Sequence, residues 1–389
     1  MKKRLLALLA CVCLAAGLLA ACGGGQQQAA SEAASEAESA VEEVAAEAES
    51  AAEEVVSEAE SAAEEVAEEA EAAVAEYTGD AVTLTLTSHD PETSATGKFL
   101  NDFAAKVSEM SNGLITIDVY HGGTLAGPKD SVDAVTNGSV DIAWGMLSFY
   151  DGMFPASEVA LLPGLDITSA EQASRAVWDL YNTTDFMKNE FANWHVLLLH
   201  CNCQTPLTIS AKSAKQPEAI GDLAGLTCRA NAGPPTMLVE QLGMTPKGCA
   251  INDLYSNLEK GEMDTALTDW HGVSSFKIDE VASKFMDEDF GTMCYFILMN
   301  QDSYDALDPA AQAIIDTAAA ESIPYTAAWD DVQNEIKAKV DAAGQMAHFS
   351  DADALADAEQ AVVDAWIAKT ENGQEIYDTF VELLAKYKK

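Results

Sequence analysis

The chain has 389 residues, of which 64 are acidic and 21 are basic, so its formal net charge is −43. This balance excludes nucleic acid as a partner, because phosphate backbones are bound by clustered lysine and arginine. It does not exclude a small anionic ligand, since salt screens distant charges over about 8 Å and the local surroundings decide. The length is sufficient for a fold of two lobes.

The first 21 residues have the layout of an export signal. Lys2, Lys3 and Arg4 give a positive start, and residues 5–19 are apolar but shorter than the ~20 residues of a membrane-spanning helix. Small residues then precede Cys22, which resembles the lipobox of bacterial lipoproteins. The resemblance implies cleavage before Cys22 and an exported chain, lipid-anchored through Cys22 to the outer face of the cytoplasmic membrane. The alternative is an ordinary signal peptide with an incidental cysteine.

Residues 22–79 form an anchor and an acidic linker. The stretch 26–77 has no Lys, Arg, Gly or Pro, and it repeats every 11 residues as AESAVEEVAAE, AESAAEEVVSE and AESAAEEVAEE. Eleven residues make about three helical turns, so the valines recur in one stripe. The glutamates repel one another, and no lysine relieves them. We expect a solvated Ala/Glu-rich stalk, helical or disordered, rather than an oligomerising coiled coil.

The first part of the following domain alternates between strand and helix patterns. Turn residues such as Asn112-Gly113 separate the segments, and one helix carries Phe99, Phe103 and Val107 on a single face. The predicted order is strand 81–87, a helix ending at Asn112-Gly113, strand 114–120, helix 128–137 and strand 140–144. This βαβαβ order predicts an α/β fold with a parallel sheet, whose ligands bind beyond the carboxyl ends of the strands.

The rest of the domain continues in the same way and ends in helices. A helix is predicted at 169–190, and Pro234-Pro235 opens another, since proline is tolerated in a first turn. The predicted strands are 194–200, 207–211, 225–230, 265–270 and 290–299, with a helix at 252–260. From Pro309 onward the pattern is almost wholly helical, with a kink at Pro324.

Several short stretches follow one another in a fixed order along the domain. They are NGLITI (112–117), HGGTLAG (121–127), DAVTNGSVDI (133–142), LLPG (161–164), DLAGLTCR (222–229), LGMTP (242–246) and LYSNLEKGEMD (254–264). In their order and spacing they resemble the solute-binding proteins of tripartite ATP-independent periplasmic (TRAP) transporters, and the resemblance covers nearly all of residues 80–389. It implies a two-lobed periplasmic-binding-protein fold with hinge strands and a long helix that bridges the lobes.

The same resemblance implies a function and approximate lobe boundaries. An extracytoplasmic receptor of this kind binds a small organic anion, usually a carboxylate, in the cleft and delivers it to the TRAP membrane subunits. We expect the first lobe at about 80–204 and 295–330, and the second at about 205–294 and 331–389. A ligand sensor for a receptor kinase and a binding protein of another transporter class are the alternatives.

Arg229 is the strongest candidate for a ligand contact. The chain has three arginines, and this one ends a predicted strand, at the sheet edge where ligands bind. A guanidinium meets a carboxylate with two parallel hydrogen bonds, whereas a lysine gives a point charge. The resemblance implies that the arginine of DLAGLTCR grips the ligand carboxylate. The alternative is a structural salt bridge.

Five further residues lie at predicted strand ends or lobe crossings. His89 follows the first strand, where it either contacts the ligand or is structural. Trp144 and Phe149 follow the third strand, as an aromatic wall or as core. Gln204 lies where the chain enters the second lobe, and Asn231 either contacts the ligand or caps a turn.

The stretch Thr268-Asp269-Trp270 departs from a common pattern of the family, in which an asparagine contacts the carboxylate. An Asp269 side chain facing the cleft would suit a ligand hydroxyl or amine, or a bound cation. Trp270 would supply an apolar wall, and Thr268 stands near the asparagine position. The departure puts in doubt any ligand carried over from well-known members.

The sequence contains none of the usual catalytic signatures. A nucleophile elbow, a phosphate loop and an HExxH motif are all missing, so we expect a binding protein and not an enzyme. No cofactor or metal is expected. Five cysteines follow Cys22, and since five cannot pair completely, free thiols are the simplest interpretation: Cys201, Cys203, Cys228, Cys249 and Cys294.

Overall fold

The computed structural model describes residues 77–388. The predicted export signal, Cys22 and nearly all of the predicted stalk therefore lie outside the described residues. None of the helices in the described range is long and apolar enough to cross a membrane.

The first sheet has five strands and carries the predicted βαβαβ unit. Its strands are β1 (Val82–Thr87), β2 (Ile115–Tyr120), β3 (Ile142–Met146), β4 (Trp194–Gln204) and β10 (Thr292–Asn300), in the order β2-β1-β3-β10-β4. Strand β1 pairs in parallel with both β2 and β3, which confirms the predicted parallel arrangement. Strand β10 runs antiparallel to β3 and β4, and every residue in it is buried.

Helices cover the first sheet on both faces. In α1 (Ala95–Met110), Ser94 caps the amino terminus by accepting a hydrogen bond from the Gly97 amide, and Phe99, Phe103 and Val107 are buried on one face as predicted. The helix predicted at 169–190 is shorter, because the chain turns extended at Thr184. The helices are α1 (Ala95–Met110), α2 (Ser131–Thr136), α3 (Ala170–Thr183), α7 (Gln301–Asp305) and α8 (Pro309–Ala320).

The second sheet has six shorter strands. They are β5 (Leu207–Ser210), β6 (Thr227–Arg229), β7 (Thr245–Pro246), β8 (Thr265–Leu267), β9 (Ala282–Met286) and β11 (Met346–Ala347), in the order β11-β9-β5-β8-β6-β7. Strand β6 runs parallel to β7 and β8, while β5 is antiparallel to β8 and β9.

One predicted strand of this lobe is partly wrong. The strand expected at 265–270 ends at Leu267, and a helix begins at Trp270. The cause is Asp269, whose side chain caps the helix by accepting the Gly272 amide at 2.9 Å. The helices of this lobe are α4 (Pro234–Gln241), α5 (Ile251–Lys260) and α6 (Trp270–Ser275).

The chain crosses between the two sheets at adjacent points. One crossing joins β4 to β5 and the other joins β9 to β10. The crossings pair with each other, because the Thr205 amide donates to the Gly291 carbonyl and the Phe290 amide donates to the Thr205 carbonyl. These paired segments are the hinge that the two-lobed fold requires.

A further helix, α9 (Ala327–Ala342), spans both lobes. Its Trp329 is buried in the core of the first sheet, whereas Ile336 and Val340 are buried in the core beneath the second. The preceding turn, Ile323–Thr326, contains Pro324 and separates α9 from α8, where the sequence predicts a kink. The two-lobed α/β fold with a bridging helix is thereby confirmed.

Two terminal helices and several short turns complete the structure. Helix α10 (Leu355–Lys369) packs against α4, and α11 (Gly373–Tyr387) packs against α3, so the carboxyl-terminal region contacts both lobes. The exact lobe boundaries stay a prediction. Short 3₁₀ turns lie at Leu147–Phe149, Ser157–Leu161, Ile220–Leu223, Ile278–Glu280 and Ala352–Ala354.

Candidate functional site

A narrow cavity, whose empty space of about 360 Å³ includes a part open to solvent, lies between the two sheets. The first lobe contributes the end of β1, the segment after β3 and strand β10, through His89, Asp90, Met146, Phe149, Met293 and Tyr295. The second lobe contributes the ends of β6 and β8 and the helices that follow, through Arg229, Asn231, Ile251, Thr268, Asp269, His271, Gly272 and Phe276. The cavity therefore lies where strand carboxyl ends from both lobes meet, as the topology predicts.

The Arg229 side chain is buried, with 2% of its surface exposed. Its Nη1 donates to the Leu267 carbonyl at 3.0 Å, while Nε and Nη2 have no hydrogen-bond partner among the described residues. Burial lowers the pKa of Arg229 from its ordinary value, but a guanidinium keeps its charge at neutral pH. The protein thus presents a fixed, desolvated cation with two donors available.

The position of Arg229 is fixed by the pairing of β6 with β8. Asp264, just before β8, accepts hydrogen bonds from both the amide and the hydroxyl of Thr227, at 2.9 and 2.8 Å. This interaction sets the register in which Arg229 lies opposite Ala266. The sequence stretches DLAGLTCR and GEMD therefore act together to place the guanidinium.

The Asp269 carboxylate is held by donors from both lobes. Its Oδ1 accepts the Gly272 amide, and its Oδ2 accepts the Asn202 side-chain amide at 2.6 Å and the Tyr295 hydroxyl at 3.3 Å. Asn202 and Tyr295 belong to the first sheet, so this carboxylate links the lobes at the base of the cavity. Asp269 lines the cavity, but most of its hydrogen-bonding capacity is already used within the protein.

Next to the cavity, His89, Asp90 and His271 form a buried polar cluster. The Nε2 atom of His89 lies 3.6 Å from Oδ1 of Asp90, and Nε2 of His271 lies 3.6 Å from Oδ2 of Asp90. Burial lowers the pKa of His89, and His271 lowers it further, against an opposing effect of Asp90. His89 is therefore neutral near pH 7.

The HGG turn after β2 holds this cluster in place. The Gly122 amide donates to the Asp90 carbonyl, and the Gly123 amide donates to the Ser88 carbonyl, each at 2.9 Å. Both glycines have positive φ angles, 70° and 72°, which favour glycine over other residues. The motif that follows β2 thus positions the loop that follows β1.

Trp144 is not part of the cavity lining. It is buried behind it, with its ring 4.8 Å from that of His89 and 4.9 Å from that of Tyr295. Its Nε1 donates to Nε2 of His200 at 3.0 Å, and burial lowers the pKa of His200 to about 3. The neutral histidine is therefore a dependable acceptor, and Trp144 supports two lining rings from behind.

Two other predicted residues also lie away from the cavity lining. Trp270 is fully buried in the second lobe, with its ring 5.2 Å from that of Phe285 and 5.7 Å from the Lys337 ammonium. As the first residue of α6, it points into the helix-packing core instead of the cleft. Gln204 lies at the hinge, where its backbone amide donates to the Oε1 atom of Gln333 at 2.9 Å.

The remaining predicted residues meet at the cavity. Phe149 lies 5.4 Å from the His89 ring. The Asn231 side-chain amide contacts the sulfur atoms of Met146 and Met293, at 3.1 and 3.7 Å. The Thr268 hydroxyl is buried without a hydrogen-bond partner among the described residues. His89, Phe149, Arg229, Asn231, Thr268 and Asp269 are therefore brought together.

Sequence reasoning missed several lining residues. Tyr295 lies in a continuous apolar strand, where a strand buried on both faces shows no alternation. His271 follows the predicted strand 265–270 directly, and the sequence shows no sign of the helix that turns its side chain towards Asp90. Asp90 was visible at the end of the first strand, but nothing in the sequence showed that its carboxylate would be buried. Among the described residues, no group of His, Cys, Asp and Glu is arranged to hold a metal ion.

Two α/β lobes, a paired hinge and a cavity with a buried cation define a two-lobed solute-binding protein. The model of the bacterial extracellular solute-binding protein family 7 matches residues 86–370, and the chain belongs to this family. It is a TRAP-type solute-binding protein, a class of binding proteins and not of enzymes.

Solved structures and a further relative agree with this assignment. A TRAP solute-binding protein from an unidentified marine-metagenome microbe, specific for aromatic acid ligands and in complex with 3-hydroxybenzoate, is 26% identical. That comparison covers 80% of this chain and all of the other, with a TM-score of 0.73. A protein from Rhodoferax ferrireducens in complex with benzoate is also 26% identical, covering 79% and 98%, with a TM-score of 0.72.

The further relative is a solute-binding protein from Albidiferax ferrireducens. It is 24% identical over 228 residues, which cover 58% of this chain and 66% of the relative. The match thus spans just under two thirds of that relative's length.

Proposed function

We propose that this protein binds a small organic acid between its lobes and delivers it to a TRAP membrane permease. The observation that carries the proposal is Arg229, a buried guanidinium at the cavity whose Nε and Nη2 have no hydrogen-bond partner among the described residues. A buried donor without an acceptor costs about 1–3 kcal/mol, and more when it is charged. An acceptor from outside the chain would remove this cost.

A carboxylate suits these two donors better than other acceptors. Nε and Nη2 lie on the same edge of the planar guanidinium, so they donate two parallel hydrogen bonds. The third donor, Nη1, is fixed by the Leu267 carbonyl and holds the plane of the group. The ligand charge would also neutralise a cation that burial has removed from water.

The walls of the cavity favour a small acid with an aromatic or compact apolar body. Phe149, Phe276, Met146 and Met293 supply apolar surface. The cavity is narrow, since only about 20 Å³ of it admits a water-sized molecule, so it suits a compact acid. The aromatic acids bound by the two 26%-identical relatives support this class.

The family and the amino-terminal sequence support a proposal for the location of the protein and for delivery of its ligand. We infer that residues 1–21 direct export and that acylated Cys22 anchors the protein in the lipid bilayer. The acidic segment before residue 79 would then separate the binding domain from the membrane surface. In this arrangement the ligand passes from the receptor to the TRAP membrane subunits.

Thermal unfolding with matched acids and amides tests the proposed ligand class. Benzoate and 3-hydroxybenzoate should raise the melting temperature of the mature chain by several degrees, whereas benzamide and 3-hydroxybenzamide should not. A ligand at a hundredfold excess over its Kd stabilises the folded state by about 2.7 kcal/mol. Arg229→Gln should lose the acid response. Arg175→Gln, which removes an arginine paired with Glu171 on α3, should keep it.

Amides that stabilise the protein as well as acids would contradict the proposal. An unchanged acid response in Arg229→Gln would contradict it as well.

A further inference from the structure

The first-lobe wall of the cavity contains a buried carboxylate with spare acceptor capacity. Asp90 is 3% exposed, and its Oδ2 has no hydrogen-bond partner among the described residues. The nearest charged or titratable neighbours, His89 and His271, are each 3.6 Å from one of its oxygens. That separation is too long for a hydrogen bond. A buried carboxylate oxygen without a hydrogen-bond partner favours the binding of a molecule that donates a hydrogen bond to it.

The two carboxylates of the cavity differ in this respect. Asp269 accepts from the Gly272 amide, the Asn202 amide and the Tyr295 hydroxyl, and it therefore acts within the protein. Asp90 receives no comparable set of donors. The sequence suggests Asp269 as the acceptor for a ligand hydroxyl or amine if its side chain faces the cleft. The hydrogen bonds in the structure favour Asp90 for that role instead.

Two other polar groups of the cavity lining also have a buried atom without a hydrogen-bond partner. His89 is neutral and its Nδ1 is buried without a hydrogen-bond partner among the described residues, and the same is true of the Thr268 hydroxyl. Both groups line the cavity, and both can accept a hydrogen bond. The groups with unused capacity are therefore donors on Arg229 and, elsewhere in the lining, mainly acceptors: Asp90 and His89 from the first lobe and Thr268 from the second.

We propose that the cavity selects monocarboxylic acids that carry a second group able to donate a hydrogen bond, a hydroxyl or an amine, which Asp90 accepts. This inference rests on the proposed function, in which Arg229 binds the carboxylate. A second carboxylate on the ligand would face the Asp90 charge across a desolvated cavity. Dicarboxylates are therefore excluded by repulsion.

The same arrangement gives the ligand a role in closing the lobes. Arg229 belongs to the second sheet, while Asp90 follows β1 of the first. An acid with both groups is bound by both lobes at once, whereas an acid without the donor satisfies the second lobe alone. Selectivity and closure would thus depend on the same two side chains.

Calorimetry with matched acids tests this inference on the mature chain. The pairs are 3-hydroxybenzoate with 3-methoxybenzoate, mandelate with phenylacetate, and pyroglutamate with cyclopentanecarboxylate, and isophthalate is the dicarboxylate. In each pair whose members fit the cavity, the acid with the donor should bind at least about tenfold more tightly. Isophthalate should show no binding.

A variant of Asp90 and a matched control complete the test. Asp90→Asn, which keeps the shape and removes the charge, should reduce the preference within each pair to less than about threefold and should weaken the exclusion of isophthalate. Asp118→Asn, an exposed acidic residue on β2, should leave both properties unchanged. The ratio of affinities within each pair is measured on the native protein. It therefore tests the inference even if Asp90→Asn folds poorly.

Equal affinities within the pairs, or a preference that Asp90→Asn leaves intact, would overturn the inference while the acids still bind through Arg229. Failure of every acid to bind, with or without the donor, would overturn the proposed function itself. The two failures are therefore distinguishable.

Discussion

Replacing Arg229 by methionine should weaken ligand binding while costing the unliganded protein no more than about 1 kcal/mol of stability. The variant loses one charged hydrogen bond, from Nη1 to the Leu267 carbonyl, which contributes about 1.5–3 kcal/mol. It also removes two buried donors without acceptors, each costing about 1–3 kcal/mol. The free energy of unfolding should therefore change by between about −1 and +4.5 kcal/mol.

The affinity of Arg229→Met for an acid should fall, even though its stability without ligand is kept. Removal of one partner from a buried, hydrogen-bonded charge pair costs about 2–5 kcal/mol, so the affinity for an acid should fall roughly 30-fold to several thousand-fold. Urea unfolding without ligand gives the first quantity, and calorimetry with the best acid gives the second. Arg175→Met serves as the control, since its partly exposed pairing with Glu171 should contribute under about 1 kcal/mol and nothing to binding.

A large loss of stability with unchanged affinity would refute this reasoning. Arg229 would then be a structural residue, and the carboxylate would need another partner. Equal losses of affinity in the Arg175 and Arg229 variants would refute it too, because a general effect of positive charge would be responsible.

Two predictions concern pH and stability. The pKa of His200 is lowered to about 3 by burial, so between pH 6.5 and pH 3 the unfolded state binds a proton that the folded state does not. As the pH falls through this range, the native protein should lose stability relative to His200→Gln. Urea titrations should show a loss of up to about 1.4 kcal/mol per pH unit. Parallel titrations of the native and His200→Gln proteins would argue against a neutral buried ring. The pKa of Asp289 is raised to about 7, mainly by burial, so its contribution is present at low pH and is lost as the pH rises from about 4 through 7. Asp289→Asn should therefore melt at a higher temperature than the native protein at pH 8 and at a similar one at pH 4, and the reverse order would contradict the raised pKa.

Local sequence patterns predicted most of the first lobe. The alternation of strands and helices, together with the turn at Asn112-Gly113, is a short-range property, and it gave the parallel β2-β1-β3 arrangement. Arg229 could be singled out because arginine is rare in this chain and because the residue ends a strand. Its burial and its unpartnered donors, however, depend on the opposite lobe, which sequence patterns do not describe.

The polar part of the cavity could not be predicted for the same reason. Asp90 and His271 lie about 180 residues apart in the chain, and they meet because the lobes face each other. Asp269 lies at the cavity, and its partners Asn202 and Tyr295 come from distant strands. The sequence leaves Trp144 open as wall or core, because alternation along a strand does not tell which face meets the ligand.

The cluster behind the cavity also shows how packing supports binding. Trp144 contacts His89 and Tyr295, and it is fixed by its hydrogen bond to His200. A change at His200 would therefore reach the lining through two rings without touching the ligand. His89 and Tyr295 thus line the cavity, whereas Trp144 and His200 hold them in position from behind.

A crystal structure of the protein with its most stabilising acid would show directly whether Arg229 binds the carboxylate. We expect the two carboxylate oxygens to lie at about 2.7–2.9 Å from Nε and Nη2 of Arg229, with Nη1 still bonded to the Leu267 carbonyl. A bound acid whose carboxylate lies away from Arg229 would contradict this expectation.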